Sequence, residues 1–141
     1  MSYPGFYPVI LATFRFLKRR FGKKALEEYW RRLVEEYYAK EIESIRDKGL
    51  DGWKEFWEGY YSREKGIQFQ SREEEDSFLI EIIRCPAYYW LEKFGRDIPS
   101  WYCEHCRVTM GRMAELAGLH FTLEGGGGRC SQRVVRDAGS E

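Results

Sequence analysis

The spacing of apolar residues changes midway along the chain, and this change restricts the fold more than any other feature. Between residues 23 and 48 the apolar side chains recur every three or four positions, as on one helix face: Leu26, Trp30, Leu33, Val34, Tyr37, Tyr38, Ile42 and Ile45. From residue 67 onward, apolar and polar residues alternate instead, which is typical of strands with one buried face. Helices followed by strands predict an α+β fold, because a doubly wound fold would alternate the two.

Glycine and proline residues set the predicted limits of these elements. Gly22 and Gly49 are expected to end the first two helices. The helices predicted in the first half lie over about residues 8–21, 23–48 and from 51 onward, and those in the second half over about 86–94 and 99–117.

The second half is predicted to form an antiparallel sheet of two hairpins separated by its two helices. The first hairpin pairs residues 67–70 with 78–82, and the second pairs 119–123 with 130–135 across the four glycines at 125–128. The sequence therefore predicts one α+β domain in which N-terminal helices pack on an antiparallel sheet. Its predicted bounds are residues 1–141, with a helical half at about 5–62, an α+β half at about 66–136 and an unpacked tail at 137–141.

Charge and hydropathy narrow the classes of function. Lys plus Arg and Asp plus Glu both number 23, so there is no basic excess and we expect no nucleic-acid binding. No stretch approaches the ~20 apolar residues of a membrane span, and none has the order of a signal peptide. We therefore expect a cytoplasmic protein that does not bind membranes. The many Trp and Tyr residues leave open a homodimer.

The four cysteines all lie in the last two-fifths of the chain. Cys85 precedes a proline and is predicted to occupy a helix N-cap, where backbone N–H groups favour the thiolate. Cys103 and Cys106 are predicted to lie near the start of the next helix, with Ser100 as its N-cap. Cys130 is predicted to begin the last strand. If strand ends and helix starts share one rim of the sheet, these cysteines converge there.

Four interpretations of the cysteines are open. A Cys₄ site could hold Zn²⁺ or an iron–sulfur cluster, with Cys85, Cys103, Cys106 and Cys130 as ligands. A thiol of lowered pKa, such as Cys85, could instead be a nucleophile with His105 or His120 as its base, and His105 is favoured because it lies between the paired cysteines. The CEHC sequence resembles a thiol–disulfide site but lacks the βαβ start that such a site requires. Finally, the four cysteines could be inert buried residues.

The order of several short motifs resembles one known family. These motifs are RCP at residues 84–86, a cysteine opening the next helix at Cys103, AGLHF at 117–121 and a glycine turn before Cys130. In these features the chain resembles the L-2-amino-thiazoline-4-carboxylic acid hydrolase family, over about residues 78–135. The family often has an aspartate shortly after its second cysteine, where this chain has Cys106.

The resemblance implies hydrolysis of a C–N bond in a small cyclic amidine. It implies Cys85 as the nucleophile and His105 for proton transfer, with the substrate carboxylate held by Arg84, Arg129 or Arg133. The alternatives are a non-hydrolytic metalloprotein with one Cys₄ zinc or iron–sulfur site, and a module that binds a small apolar ligand among the aromatic residues.

Overall fold

A computed structural model of the chain describes residues 3–136, and the predicted tail at 137–141 lies outside this range. Within it the α-helices are α1 (Phe6–Phe21), α2 (Lys23–Tyr37), α3 (Ala39–Lys48), α4 (Leu50–Ser62), α5 (Pro86–Lys93) and α6 (Glu104–Leu116). The strands are β1 (Gln68–Glu73), β2 (Ser77–Arg84), β3 (Leu119–Gly126) and β4 (Arg129–Arg136). The predicted α+β class, with N-terminal helices preceding two antiparallel hairpins, is confirmed.

The two hairpins form a single antiparallel sheet in the order β1-β2-β4-β3. Phe78, Ile80 and Ile82 are buried on one face of β2. On the opposite face Glu81 is exposed, although Leu79 is buried there as well. On the buried face, Phe78 pairs with Val134 of β4. The helix α4 packs on β2 and β4, and α6 packs on β3. The apolar side of the sheet is thus covered by helices, as an antiparallel sheet with one solvated face requires.

Two clusters of buried residues make up the interior. The larger cluster lies between the sheet and α3, α4 and α6, and includes Trp53, Ile80 and Met113. The smaller cluster lies among α1, α2 and α5, with Phe14 and Leu91 at its centre. Cys85 packs against both clusters, so the junction between β2 and α5 connects the two parts of the core.

The single helix predicted over residues 23–48 is wrong, because the chain breaks at Tyr38. That residue leaves the helical region with φ −102° and ψ 19°, and its ring packs edge-to-face on Phe56, with 6.0 Å between centroids. The break changes the direction of the helix axis at α3, and Ile42 and Ile45 therefore pack in the cluster beneath the sheet. Two residues assigned to the buried stripe are exposed instead: Leu33 (38%) and Tyr37 (71%).

The predicted start of α6 is also wrong, since the helix begins at Glu104 rather than near Pro99. Residues 99–103 form tight turns instead, in which Tyr102 N–H donates to the carbonyl of Pro99 at 3.0 Å. Cys103 is therefore the N-cap residue, in place of the predicted Ser100, and Cys106 lies in the first helical turn.

The turn between β3 and β4 is tighter than the predicted four-glycine loop. Gly126 pairs with Arg129, so only two residues connect the strands, and both have positive φ. At Gly125 a side chain would collide with backbone, because a Cβ there would lie 2.7 Å from the carbonyl oxygen of Arg129.

We expect Gly125→Ala to lower the free energy of unfolding by about 3 kcal/mol, because it adds a backbone clash to an unfavourable positive φ. Gly127→Asn is the matched control. Its Cβ would meet no atom within 4 Å, and asparagine tolerates φ +67°, so we expect a loss of about 1 kcal/mol or less. Urea unfolding measures both changes. Equal losses would contradict the role assigned to the close backbone contact.

Candidate functional site

The four cysteines lie around the junction of the sheet with α5 and α6. Cys85 is the N-cap of α5, and its N–H donates to the carbonyl of Gly128 at 2.9 Å, which joins α5 to the glycine turn. Cys103 is the N-cap of α6. Cys130 pairs with Ile82 across the sheet. All four thiols are partly buried.

Three separate segments bring their sulfur atoms within electrostatic reach of one another. Ionisation of Cys106 is opposed by Cys85, Cys130 and Cys103. Cys103 also lies beside the glycine turn, since a Cβ at Gly126 would be 3.7 Å from its sulfur. The distant segments thus meet in one region.

This proximity does not amount to a metal site. Within residues 3–136, no three His, Cys, Asp or Glu side chains are grouped so that they could hold a metal ion. A Cys₄ site needs all four sulfur atoms at about 2.3 Å from one zinc ion. The predicted zinc or iron–sulfur site on Cys85, Cys103, Cys106 and Cys130 is therefore not supported.

The expectation that the helix N-terminus keeps Cys85 ionised is also corrected. Burial raises the pKa of Cys85 above its ordinary value and outweighs the opposing effect of the backbone N–H groups of Tyr88 and Ala87. No side-chain hydrogen bond of capping geometry forms at Cys85. Burial likewise raises the pKa of Cys130 to about 11 and that of Cys106 well above its usual value. These groups are thiols at neutral pH.

The closest contact between a thiol and a base joins Cys106 to His105. The Nδ1 atom of His105 lies 2.7 Å from the carbonyl oxygen of Tyr102. Because a carbonyl only accepts hydrogen bonds, Nδ1 carries the proton and Nε2 keeps a free lone pair. Nε2 lies 3.5 Å from the sulfur of Cys106. A thiol, a base and a group that orients the base are therefore in contact.

Aromatic side chains surround His105 and keep it neutral. Its ring lies 5.3 Å from Phe14, 6.2 Å from Trp30 and 4.8 Å from Tyr102, measured between centroids. Burial lowers the pKa of His105 below the ordinary value of 6.5. His105 is therefore able to accept a proton at neutral pH.

His105 and Cys106 line a cavity of about 320 Å³, which we call the aromatic pocket. Its remaining lining comes mainly from aromatic and aliphatic side chains of α1, α2, α4 and α6, and no Lys, Arg, Asp or Glu of residues 3–136 lines it. Two tyrosine hydroxyls beside it are hydrogen bonded: Tyr7 donates to Glu64 at 2.7 Å, and Tyr61 donates to Gln132 at 3.0 Å. Burial raises the pKa of Tyr60 to about 12, so this hydroxyl is neutral at pH 7.

Cys85 lies in a different depression, which we call the outer groove. This groove of about 470 Å³ is lined by Arg84, Cys85, Arg129 and the glycine turn. Arg84 donates to the carbonyl of Gly66 at 2.7 Å, and its guanidinium lies 4.2 Å from the ring centroid of Tyr89. The structure thus brings Cys85, Arg84 and Arg129 together.

Arg133 and His105 are not brought to the outer groove. Arg133 forms an ion pair with Glu74 at 3.1 Å and also donates to Ser77 at 3.0 Å. His105 lines the aromatic pocket with Cys106 rather than the groove with Cys85. His120 is exposed.

Sequence reasoning missed Cys106 as the partner of His105. The only available signal was that the two residues are adjacent in CEHC. Adjacent side chains on a helix normally point apart, so this contact requires the His105 ring to be turned by its bond to Tyr102. The tyrosines of the pocket carried no signal that separates them from core residues.

Comparison with known proteins adds no family assignment. The chain matches no protein-family model and no curated protein sequence. The resemblance drawn from its motifs therefore stays a prediction.

Among the helices within residues 3–136, none combines the length and the apolar composition that a membrane span requires.

We expect His105 to make the protein less stable in mild acid. Its folded-state pKa is depressed, so the unfolded chain binds the proton more readily and stability falls as pH drops through 6.5. Thermal unfolding between pH 7.5 and pH 5.5 measures this loss, and His105→Gln should reduce it. The control is the other histidine, and His120→Gln should leave the pH dependence unchanged. The same slope in both variants would assign the acid sensitivity to other groups.

Proposed function

We propose that the protein is a thiol-dependent hydrolase that opens a C–N bond of a small cyclic amidine, which binds as its uncharged base in the aromatic pocket. The observation that carries the proposal is the 3.5 Å contact between Cys106 Sγ and His105 Nε2 inside this cavity. A nucleophile in contact with an oriented base is the usual arrangement for covalent catalysis. The motif resemblance to a hydrolase of cyclic amidines supports the same reaction class.

In the first step the sulfur of Cys106 attacks the amidine carbon while its proton passes to Nε2 of His105. The proton then moves from His105 to the departing ring nitrogen, the C–N bond breaks, and a thioimidate links the carbon to Cys106. General acid–base help of this kind is typically worth ~10²–10⁴-fold. Since burial favours both neutral forms, proton transfer accompanies the attack rather than preceding it.

In the second step water gives a proton to His105 and adds to the thioimidate carbon. The C–S bond breaks and the proton returns to the sulfur, which restores the thiol of Cys106. The net reaction consumes one water and converts the cyclic amidine into an open amide that carries a free amine.

The lining of the pocket favours a neutral, planar substrate. A cavity of about 320 Å³ is at the lower end of the range for small-molecule sites, so it suits a ring with few substituents. With no cation on its wall, it offers no partner for a carboxylate. This differs from the carboxylate-bearing substrate that the motif resemblance implies.

A carboxylate substrate would instead favour the outer groove, where Arg84 and Arg129 accompany Cys85. That alternative is weaker, because no base of the described chain is hydrogen bonded to the Cys85 thiol, whereas His105 contacts the thiol of Cys106. Comparing the two cysteines therefore decides between the sites.

We expect Cys106→Ala to abolish turnover of neutral cyclic amidines, and His105→Gln to lower it by roughly 10²–10⁴-fold. Mass spectrometry of ring-opened product measures turnover, and intact-protein mass spectrometry detects the covalent adduct. Cys103→Ser is the matched control, since it removes a neighbouring thiol that does not line the pocket. We expect it to keep near-normal turnover.

Turnover that survives Cys106→Ala but is lost in Cys85→Ala would move the reaction to the outer groove and contradict the assigned nucleophile. No ring opening of any neutral or carboxylate-bearing cyclic amidine, with a folded protein, would reject the hydrolase itself.

A further inference from the structure

The helix α1 is apolar on two opposite faces. Its inner face buries Tyr7, Leu11 and Phe14 in the smaller core cluster. Its outer face carries Phe6, Val9 and Phe16, whose side chains are 50%, 59% and 60% exposed. These residues share a face by helical spacing. No other element within residues 3–136 covers this outer face, and a helix with a second apolar side is expected to meet something apolar.

The charged residues before Glu27 are all positive. The first acidic residue of the sequence is Glu27, and the segment before it carries six cations: Arg15, Lys18, Arg19, Arg20, Lys23 and Lys24. Because the whole chain is neutral, the remainder carries a matching acidic excess. The net charge of zero thus hides a strong separation of charge along the chain.

The exposed aromatic residues and these cations lie side by side where α1 meets α2. The ring of Phe16 packs edge-to-face on Phe21, with 6.3 Å between centroids, and the guanidinium of Arg20 lies 5.9 Å from the Phe21 ring. Among residues 3–136, Arg19 and Lys24 pair with no carboxylate, and Lys23 reaches Glu27 only at 4.0 Å.

We call this region the α1 surface, defined as Phe6, Val9, Phe16, Arg19, Arg20, Phe21, Lys23 and Lys24. We propose that the α1 surface docks on an anionic phospholipid membrane, with its phenylalanines among the acyl chains and its cations at the phosphates. An amphipathic helix with apolar and basic residues on its outer side lies in the membrane interface rather than spanning it. Cations near an anionic leaflet add to the attraction of the buried apolar area.

A membrane explains the α1 surface better than a nucleic acid does. Nucleic acids use aromatic faces for stacking, whereas Phe16 and Phe21 pack against each other and the apolar stripe continues to aliphatic Val9. This inference does not depend on the proposed hydrolase, because it rests on the exposed apolar residues and cations of the α1 surface rather than on Cys106 or His105. It differs from the expectation, based on the absence of a membrane span from the sequence, that the protein does not bind membranes.

Co-sedimentation of the full chain with vesicles tests the proposal. The probes are vesicles of phosphatidylcholine with about 30% phosphatidylserine, and vesicles of phosphatidylcholine alone. We expect binding to the anionic vesicles that weakens as salt is raised, and binding to the neutral vesicles that is at least about tenfold weaker.

Two pairs of variants separate charge from apolar contact. Arg19→Glu with Arg20→Glu should weaken binding by at least about 25-fold, at roughly fivefold for each cation lost. Its matched control is Lys40→Glu with Lys65→Glu, which makes the same change in net charge at exposed positions away from α1.

Phe16→Ser should weaken binding by about tenfold. Its control is Phe94→Ser, at a phenylalanine that is 46% exposed on another helix end.

Each control variant should bind within about twofold of the parent chain, and circular dichroism verifies that all variants are folded. Equal binding to neutral and anionic vesicles, or equal losses in variants and controls, would overturn the proposal. So would tighter binding of an oligonucleotide that is lost in the same variants. If sedimentation shows a homodimer that Phe16→Ser disrupts, the α1 surface binds a second copy of the chain. That result would also overturn the membrane proposal.

Discussion

Burial of one apolar face of the antiparallel sheet is the constraint on which the rest of the structure depends. Phe78, Ile80 and Val134 need a cover, which the aromatic helix α4 supplies together with Met110 and Met113 of α6. Because α6 lies on the sheet, its first turn is held beside the end of β2 and the glycine turn. The same packing that stabilises the fold thus places Cys106 near Cys85 and Cys130.

Desolvation also determines the chemistry that this region can perform. It raises the pKa of Cys106 and lowers the pKa of His105, so both groups are neutral near pH 7. At Cys85, burial raises the pKa of the thiol by more than the N–H groups at the helix N-terminus lower it. The sequence alone could not predict this outcome, because the depth of burial depends on residues far along the chain. A site of this kind favours reactions in which a proton moves with the attacking sulfur, and disfavours those that need a stored thiolate.

Local sequence signals predicted helix starts and ends well where a neighbouring residue is itself the physical cause of the boundary. Gly22 and Gly49 end helices with positive φ, and Cys85 followed by Pro86 begins one. The signals failed where tertiary packing decides. The helical spacing of apolar residues continues through Tyr38, so it does not reveal the helix break there. That break allows α3 to pack beneath the sheet. The late start of α6 depends on turns at residues 99–103, which the spacing of apolar residues does not reveal.

The two-sided character of α1 connects the interior with the proposed membrane surface. Phe14 on its inner side lines the aromatic pocket and contacts His105, while Val9 belongs both to the pocket lining and to the exposed stripe. The pocket therefore reaches the side of the helix that we assign to the membrane. A neutral planar ring is also the kind of molecule that partitions into a bilayer interface, whereas a carboxylate is held back by its hydration. The two proposals together describe one arrangement, in which the cations of the α1 surface would hold the protein at the membrane and the cavity, whose described lining carries no cation, would receive an uncharged substrate.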